Sequence, residues 1–198
     1  MMKKKEDLRV RKTKANLYKG LLKMLEQKSF EDIKIIDICN VSLINRSTFY
    51  DHFNDKYELL SSYLKDVSER LADNLVSSIQ DKKYTSVKSY YLAIIKAHLD
   101  YLYNDVSRAA SVKIIKNNLH SVASDMLVDF TLSIVINNLK ENYVNESNMP
   151  IEVISSFYVN AATEVCLNYI TDENFNQKEL FSYLEQLIPE LDYLKPLN

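Results

Sequence analysis

Apolar residues recur every three or four positions along most of this chain, which is the spacing that places them on one face of an α-helix. The pattern predicts a first helix over residues 10–26 and a much longer one that begins at Lys56. At about 24 residues, the longer helix would span roughly 36 Å. Further helices are predicted over residues 86–103, 107–116, 119–140, 150–169 and 177–188. The chain is therefore predicted to be all-α, with about nine helices.

Two short helical segments lie between the first helix and the long one. The first, over residues 33–38, contains four isoleucines, and the second, over residues 45–53, carries three aromatic residues at helical spacing: Phe49, Tyr50 and Phe53. Two short helices a few residues apart are typical of a helix-turn-helix, whose second helix enters the major groove of DNA. After an N-cap at Asn45, the first turn would present three side chains that reach base edges and phosphates: Arg46, Ser47 and Thr48.

The run NRSTFYDHFNDKYELL, over residues 45–60, resembles the N-terminal domain of the TetR (tetracycline-repressor) family of transcriptional regulators. The matching positions are Asn45, Thr48, Phe49, Tyr50, His52, Phe53, Lys56 and Leu59. The resemblance implies a DNA-binding domain over residues 8–57, followed by a helical regulatory and dimerisation domain over residues 58–198. Beyond about residue 65 it extends only to length and helical character.

The resemblance also implies roles for particular residues. It makes Arg46 or Ser47 the reader of a base, and it makes Tyr50, His52 and Lys56 contacts of the phosphate backbone. The predicted DNA-binding surface comprises Lys34, Asn45, Arg46, Ser47, Thr48, Tyr50, His52 and Lys56. In function, the resemblance implies a homodimeric repressor that a small ligand releases from its DNA operator.

Two positions around the turn depart from the family pattern. The turn usually carries Ala-Gly, where this chain has Ser42 and Leu43, and the first helix of the motif usually begins with Thr, where this chain has Lys34. If the turn keeps a left-handed residue at Leu43, that backbone conformation costs roughly 1 kcal/mol, which packing of the side chain can offset.

Charged residues divide unevenly along the chain. Residues 1–56 contain 13 Lys and Arg against 8 Asp and Glu, whereas the remaining 142 residues contain 12 against 19. A basic end on an acidic remainder fits a polyanionic partner, such as double-stranded DNA, at that end only. The alternative is that the basic end is merely solvated. Residues 1–8, which include the run Lys3–Lys5, are predicted to form a disordered basic arm.

The composition argues against other folds and against catalysis. A single glycine, Gly20, and three prolines leave few of the turn residues that all-β and Rossmann folds need. The same scarcity excludes glycine-rich nucleotide loops, and no GxSxG or HExxH motif occurs. Cys39 and Cys166 stand far apart without neighbouring metal ligands. We therefore expect no catalytic residue, metal site or cofactor, and a cytoplasmic protein without a membrane partner.

Two helices near the C-terminus carry apolar stripes that a second copy of the chain would cover. In the resembling family, these helices pair with their symmetry mates in a four-helix bundle. The predicted interface comprises Phe157, Tyr158, Ala161, Ala162, Val165, Leu180 and Leu184. The alternative, that both stripes face the chain's own core, stays open.

A ligand pocket is expected between the long helix and the helices at residues 86–103 and 119–140. Its aromatic walls and a hydrogen bond would come from Tyr63, Tyr91, His98 and Phe130. The scarcity of charge on these faces favours a small apolar or aromatic ligand, although core packing explains each residue equally well. The main alternative function is a TetR-like coactivator that binds a ligand or protein and contacts DNA secondarily. A helical enzyme is a more distant alternative.

Overall fold

A computed structural model describes residues 7–79, 84–103, 105–117, 119–172, 174 and 176–197, with the backbone alone for residues 105–107. The predicted basic arm lies outside the described residues, apart from its last two positions. The helices are α1 (Leu8–Met24), α2 (Ile35–Ser42), α3 (Arg46–Tyr50), α4 (Lys56–Ile79), α5 (Val87–Leu102), α6 (Asp105–Lys116), α7 (His120–Asn142), α8 (Ile151–Tyr169) and α9 (Gln177–Leu187). Two short strands are β1 (Tyr143–Asn145) and β2 (Leu194–Pro196).

Local capping explains where several helices begin. Ser86 Oγ accepts a hydrogen bond from the Ser89 N–H at 3.3 Å before α5, and Asn176 Oδ1 accepts one from the Glu179 N–H at 2.9 Å before α9. Pro150 immediately precedes α8, where its fixed φ and missing N–H do no harm. Outside the helix-turn-helix, the predicted helices agree with the structure to within two residues at each end. The all-α fold class is confirmed.

The sequence pattern does not predict the two strands. β1 pairs antiparallel with β2, with Val144 opposite Lys195, and the Leu197 N–H donates to the Asn142 carbonyl at 2.7 Å. The segment that follows α7 therefore begins as a strand that holds the C-terminal segment beside that helix. Each strand is only three residues long and its partner is distant in sequence, so no local alternation reveals the pair.

The buried apolar residues form two clusters that divide α4 between them. The first cluster joins α1, α2 and α3 to the N-terminal half of α4, through Leu59, Leu60, Tyr63 and Leu64. The second joins the C-terminal half of α4, from Leu71 onward, to α5, α7, α8 and α9. Helices α1–α3 are termed the head and α5–α9, with the strands, the body. Since α4 contributes to both cores, it links the two parts mechanically.

Helix α6 attaches the body to the head. Three residues from α6 and α7 belong to the head's buried cluster: Ala110, Ile114 and Ala123. Asn117 Nδ2 donates to the Leu25 carbonyl at 3.0 Å, and Lys113 Nζ lies 2.5 Å from Glu26 Oε1. The hydrogen bond from Lys113 lowers the pKa of the Glu26 carboxyl group. The C-terminal end of α6 is therefore fastened to the residues that follow α1.

The chain's single glycine lies where α1 packs on α2. A Cβ atom at Gly20 would stand 3.0 Å from the Ile38 carbonyl oxygen and 3.1 Å from Ser42 Cβ. Both separations are shorter than an optimal contact, and the nearer atom belongs to the backbone, which cannot rotate away. Glycine therefore allows the close approach of these two helices.

By length and composition alone, α7 is apolar enough to cross a membrane, because an 18-residue window of it has a mean hydropathy of 1.3. In the structure it packs along α4 and α8. Leu127, Val128, Val135 and Leu139 of this helix are buried in the body core. Its apolar residues are thus explained by packing within the protein.

Candidate nucleic-acid interface

The turn of the helix-turn-helix is built on a left-handed residue. α2 ends at Ser42, and Leu43 follows with φ 56° and ψ 38°. The Ile44 N–H then donates to the Cys39 carbonyl at 3.0 Å, which closes the turn. The turn thus keeps a left-handed residue at Leu43, the case considered in the sequence analysis, but this residue is 91% exposed. Packing within the described part of the chain therefore does not offset the backbone strain.

Two aromatic anchors orient α3. Phe49 and Phe53 are buried in the head, with ring centres 5.9 Å apart. Because they stand one helical turn apart, the other side of the helix faces outward, and Arg46, Ser47 and Tyr50 are exposed there. The Arg46 guanidinium carbon lies 5.9 Å from the centre of the Tyr50 ring. This cation–π contact keeps both side chains together on the outer surface.

The remaining predicted residues of α3 are less prominent. Asn45 occupies the N-cap position with an extended backbone, yet its side chain makes no capping hydrogen bond to the described residues. Its amide is exposed and therefore available to a partner at the tip of α3. Thr48 and His52 are half-buried, and the His52 ring centre lies 6.4 Å from that of Phe53. These two side chains border the exposed face of α3.

The N-terminal end of α2 extends the same outer surface. Lys34 is exposed, and its backbone N–H donates to Asp37 Oδ2 at 3.2 Å. Lys28 Nζ donates to the same oxygen at 2.9 Å, and this hydrogen bond lowers the pKa of Asp37. The carboxylate is thus occupied by its own neighbours, which leaves the Lys34 charge at the surface.

Ile36 belongs to this surface, although the sequence reasoning names it only as one of four isoleucines in a short helical segment. It is 40% exposed, and with Lys34, Arg46 and Tyr50 it lines an open groove of about 500 Å³. Successive positions on a helix stand about 100° apart, so the side chains of Ile35, Ile36 and Ile38 spread over a wide arc and one of them lies at the edge of the buried face. Spacing alone does not identify Ile36 as that residue.

Lys56 has a different role from the phosphate contact that the resemblance implies. Its Nζ donates to three main-chain carbonyls, those of Phe30 at 2.8 Å, Glu31 at 2.7 Å and Ile33 at 3.2 Å. An ammonium group has three donors, so all of them are used within the protein. Only 13% of the side chain is exposed. The prediction is therefore corrected: Lys56 fastens the segment between α1 and α2 to the start of α4.

The first turn of α4 is fixed by a second set of side chains. Asp55 Oδ1 accepts a hydrogen bond from the Glu58 N–H at 2.8 Å and so caps the start of α4. Glu58 Oε2 reaches back to accept the Asn54 N–H at 2.7 Å. Together with Lys56, these bonds determine how α4 leaves the helix-turn-helix.

The predicted ligand residues do not meet in one cavity. Tyr91 and His98 line a cavity of about 20 Å³, which has room for roughly one water molecule. Tyr63 instead lines a cavity of about 440 Å³ bounded by α1 and α6 and by α4, α5 and α7, the three helices between which a pocket is expected. Phe130 is half-buried on α7 and lines neither cavity. Side chains therefore fill the space around Tyr91 and His98, and the larger cavity lies closer to the head.

His98 illustrates how that space is filled. Nδ1 donates to the Ile94 carbonyl at 2.9 Å, and Nε2 lies 2.9 Å from Thr131 Oγ1, so both ring nitrogens have partners. The side chain is buried, and burial lowers the pKa of the imidazole. His98 is accordingly a neutral, hydrogen-bonded residue of the body core.

The predicted dimer stripe on α8 only partly reaches the surface. Phe157 is 69% exposed and Ala161 is also exposed, whereas Tyr158, Ala162 and Val165 are half-buried. On helical geometry, Phe157 and Ala161 share a row with Val153, which is exposed as well. An apolar row thus faces outward along this helix.

The predicted stripe on α9 is wrong for two residues. Leu180 and Leu184 are buried in the body core, so they are not available to a partner. The exposed apolar residues of α9 are Tyr183 and Leu187, one helical turn apart. For Leu180 and Leu184, the alternative that the stripe faces the chain's own core therefore holds.

No protein-family model matches the chain. A curated relative from Bacillus subtilis (strain 168), the uncharacterized HTH-type transcriptional regulator YxbF, is 34% identical over 83 residues. The match covers 41% of this chain and 22% of the relative, so it spans about a fifth of that relative's length.

Solved structures match over most of the chain. A TetR-family transcriptional regulator from Syntrophomonas wolfei superposes with a TM-score of 0.70 at 14% identity, covering 90% of this chain and 93% of that one. FadR from Bacillus subtilis, solved in complex with stearoyl-CoA, gives a TM-score of 0.66 at 12% identity, covering 87% and 96%. At these identities the similarity establishes the fold.

Proposed function

We propose that this chain, which has the fold of the TetR-family transcriptional regulators, is a cytoplasmic, homodimeric regulator that binds double-stranded DNA. The proposal rests on the outer surface of the helix-turn-helix, where Arg46, Ser47 and Tyr50 stand exposed on α3 beside Lys34 and Ile36 on α2. The partial match to an HTH-type transcriptional regulator also supports it.

In the proposed complex, α3 enters the major groove and its exposed face meets the bases. The Arg46 guanidinium can donate two parallel hydrogen bonds to the O6 and N7 of a guanine. Ile36 offers an apolar contact of the kind that suits a thymine methyl group. Lys34, Tyr50 and His52 would contact phosphates and so fix the register of the helix. The basic excess in residues 1–56 favours this orientation.

Binding to the DNA upstream of its own gene tests this proposal by electrophoretic mobility shift. Arg46→Ala should cost on the order of 1 to 3 kcal/mol and relax specificity at one base position. Lys34→Ala should lower the affinity for all DNA sequences equally. It should also reduce the slope of log affinity against log salt concentration by about one unit. Lys178→Ala, on the exposed side of α9, is the control. If the wild type and both head variants bound DNA with equal affinity, the proposal that this surface recognises DNA would be refuted. The alternative of a coactivator that contacts DNA only secondarily would then be favoured.

Dimerisation through the exposed row of α8 is part of the proposal. Two heads on one dimer would bind half-sites about 34 Å or a multiple of that apart. Val153, Phe157 and Ala161 provide an outward apolar row, which is the kind of surface that a partner covers.

Sedimentation of the full chain tests the dimer. Ala161→Arg places a long cation in the middle of the row, so we expect monomers and a loss of operator binding. Glu141→Arg, an exposed substitution at the end of α7, should leave the dimer intact. A dimer that survives Ala161→Arg would place the interface elsewhere.

Release of the DNA by a small ligand is the last part of the proposal. A protein of this fold, FadR, has been solved with stearoyl-CoA, which supports a ligand-binding role. To shift a 1:99 equilibrium between two head arrangements to 99:1, a ligand needs about 5.5 kcal/mol of differential affinity. Helix α4 is suited to convey this difference, because its 24 residues contribute to the cores of both head and body.

A further inference from the structure

A cavity of about 440 Å³ lies between the head and the body. Its walls come from α1 on one side and from α4, α5, α6 and α7 on the other. Most of the lining is apolar, with Leu22, Val67, Ile114 and Leu127 contributed by four different helices. The volume falls within the range of small-molecule sites, about 300 to 1,000 Å³. This junction therefore has room for a ligand, unlike the centre of the body.

The charged residues that line this cavity are all basic, and one of them, Lys113, is paired with Glu26. The lining includes Lys19 of α1, Arg70 of α4 and Lys113 of α6, and it contains no Asp or Glu among the described residues. Lys19 and Arg70 are exposed, so they stand at the mouth of the cavity. The Arg70 Nε donates to the Asp66 carbonyl at 3.1 Å, which holds the guanidinium along α4.

The electrostatics of a wall residue agree with this placement. Burial raises the pKa of Tyr63 to about 12, and the positive charge of Arg70 acts in the opposite direction. The Arg70 charge is therefore close enough to the cavity wall to affect the pKa of Tyr63. An anionic group entering the mouth would meet the same attraction.

We propose that this cavity binds an amphipathic anion, with an apolar chain between the helices and a carboxylate at the mouth among Lys19, Arg70 and Lys113. The inference rests on the proposed regulator function. It names the chemical class of the ligand that releases the DNA and the cavity in which that ligand binds. The apolar chain of the ligand moves from water to the apolar cavity wall, and the ligand's carboxylate accepts charge-assisted hydrogen bonds from the basic side chains. A neutral amphiphile cannot make these charge-assisted hydrogen bonds, and a cationic amphiphile is repelled by the basic side chains at the mouth.

Occupancy of the cavity would act on the position of the head. Lys113 Nζ, which lines the cavity, is paired with Glu26 at 2.5 Å, and Asn117 binds the Leu25 carbonyl beside it. A bound carboxylate competes with Glu26 for the Lys113 ammonium group. That competition weakens the attachment of α6 to α1, so the ligand favours a head arrangement other than the unliganded one.

Calorimetric titration of the full chain, without DNA, measures the binding directly. The probes are decanoate, decan-1-ol and decylamine, which share a chain length and differ in charge. We expect one decanoate per chain, bound at least about tenfold more tightly than either of the other two. Equal binding of decanol, or no binding of decanoate, would overturn the inference.

Two variants locate the site. Arg70→Gln should weaken decanoate binding by about three- to tenfold, and Ala110→Met should abolish it by filling the cavity. Lys65→Gln, on the exposed side of α4 and away from the lining, is the matched control. Arg70→Gln changes an exposed residue, so it remains decisive even where Ala110→Met does not fold. Unchanged binding in Arg70→Gln would place the anion elsewhere.

Operator binding with and without decanoate separates this inference from the proposed function. DNA binding by a chain that does not bind decanoate would refute the inference alone. Decanoate binding by a chain that does not bind DNA would refute the proposed function alone. Where both bind, we expect decanoate to weaken operator binding by the wild type more than by Arg70→Gln. Equal operator affinity with and without decanoate would overturn the regulatory role of the cavity.

Discussion

The head and the body differ in how completely their polar groups are satisfied. In the head, all three donors of Lys56 bind main-chain carbonyls, and Gly20 lets two helices meet at backbone distance. In the body, the hydroxyl groups of Tyr84 and Tyr90 are buried without a hydrogen-bond partner among the described residues. A surface that reads DNA needs side chains held closely in place. Among the described residues, these two hydroxyl groups of the body lack the fixed partners that Lys56 has in the head.

Empty space is also distributed unevenly. The centre of the body holds a cavity of about 20 Å³ beside His98, whereas the junction with the head holds one of about 440 Å³. The contrast teaches that room for a ligand lies at the boundary between the two parts and not beside His98. Each prediction below tests either the rigidity of the head or the response of the body.

The largest effect is expected from Gly20→Val, which tests how tightly α1 packs on α2. The new side chain would overlap the Ile38 carbonyl, so the helices must separate at a cost of about 3 kcal/mol in unfolding free energy. Chemical denaturation followed by circular dichroism measures the loss. Asn16→Val, at an exposed position of the same helix, controls for helix propensity. A loss no greater than the control's would mean that the head tolerates repacking.

Lys56→Met is expected to destabilise the head by about 2 kcal/mol, because three carbonyls lose their donor while the apolar stem is kept. The salt dependence of operator binding should stay as in the wild type, since this charge is used internally. Lys65→Met, exposed on the same helix, should change neither quantity. Unchanged stability with a flatter salt dependence would restore the phosphate contact that the resemblance implies.

In the body, His98 should make stability depend on pH. Burial lowers the pKa of its imidazole from 6.5, so below pH 6.5 the unfolded chain takes up a proton that the folded chain does not. The unfolded state then binds more protons, and stability falls as the pH decreases, by at most about 1.4 kcal/mol per pH unit. Above about pH 6.5, this group contributes no pH dependence.

Chemical denaturation at about pH 8 and about pH 5.5 checks this effect. His98→Gln should lose less stability between the two pH values than the wild type does, because the titrating group is gone. His52→Gln, at a half-buried position in the head, should retain the wild-type loss. An equal loss in wild type and His98→Gln would show that other groups dominate the titration.

The smallest effect is expected from Leu43→Gly, which should stabilise the head by about 0.5 to 1 kcal/mol. Glycine adopts the left-handed conformation without strain, and the exposed leucine side chain contributes no packing that would be lost. Leu43→Ala keeps the strain and should therefore leave the denaturation midpoint unchanged. The same gain from alanine would attribute the effect to the exposed apolar side chain instead.

The sequence by itself determined the all-α fold and the helices outside the helix-turn-helix, whereas the two short helices of the motif, predicted over 33–38 and 45–53, lie at Ile35–Ser42 and Arg46–Tyr50. Helix formation depends on neighbours within a few residues, so apolar spacing and the caps Ser86, Asp55 and Asn176 suffice to place the helices. The left-handed backbone at Leu43 did not follow from the sequence, because the residues of the turn depart from the family pattern. Phe49 and Phe53, which the spacing places one helical turn apart, are both buried.

Only the tertiary structure decided which partners those helices meet. The amine of Lys56 binds carbonyls 23 to 26 positions earlier, a pairing that no local pattern contains. The burial of Leu180 and Leu184, and the cavity between head and body, depend on which distant helix packs against each face. Apolar spacing marks a face as suited to burial. Whether the chain's own core, a second copy or a ligand covers that face is decided by competition between distant contacts.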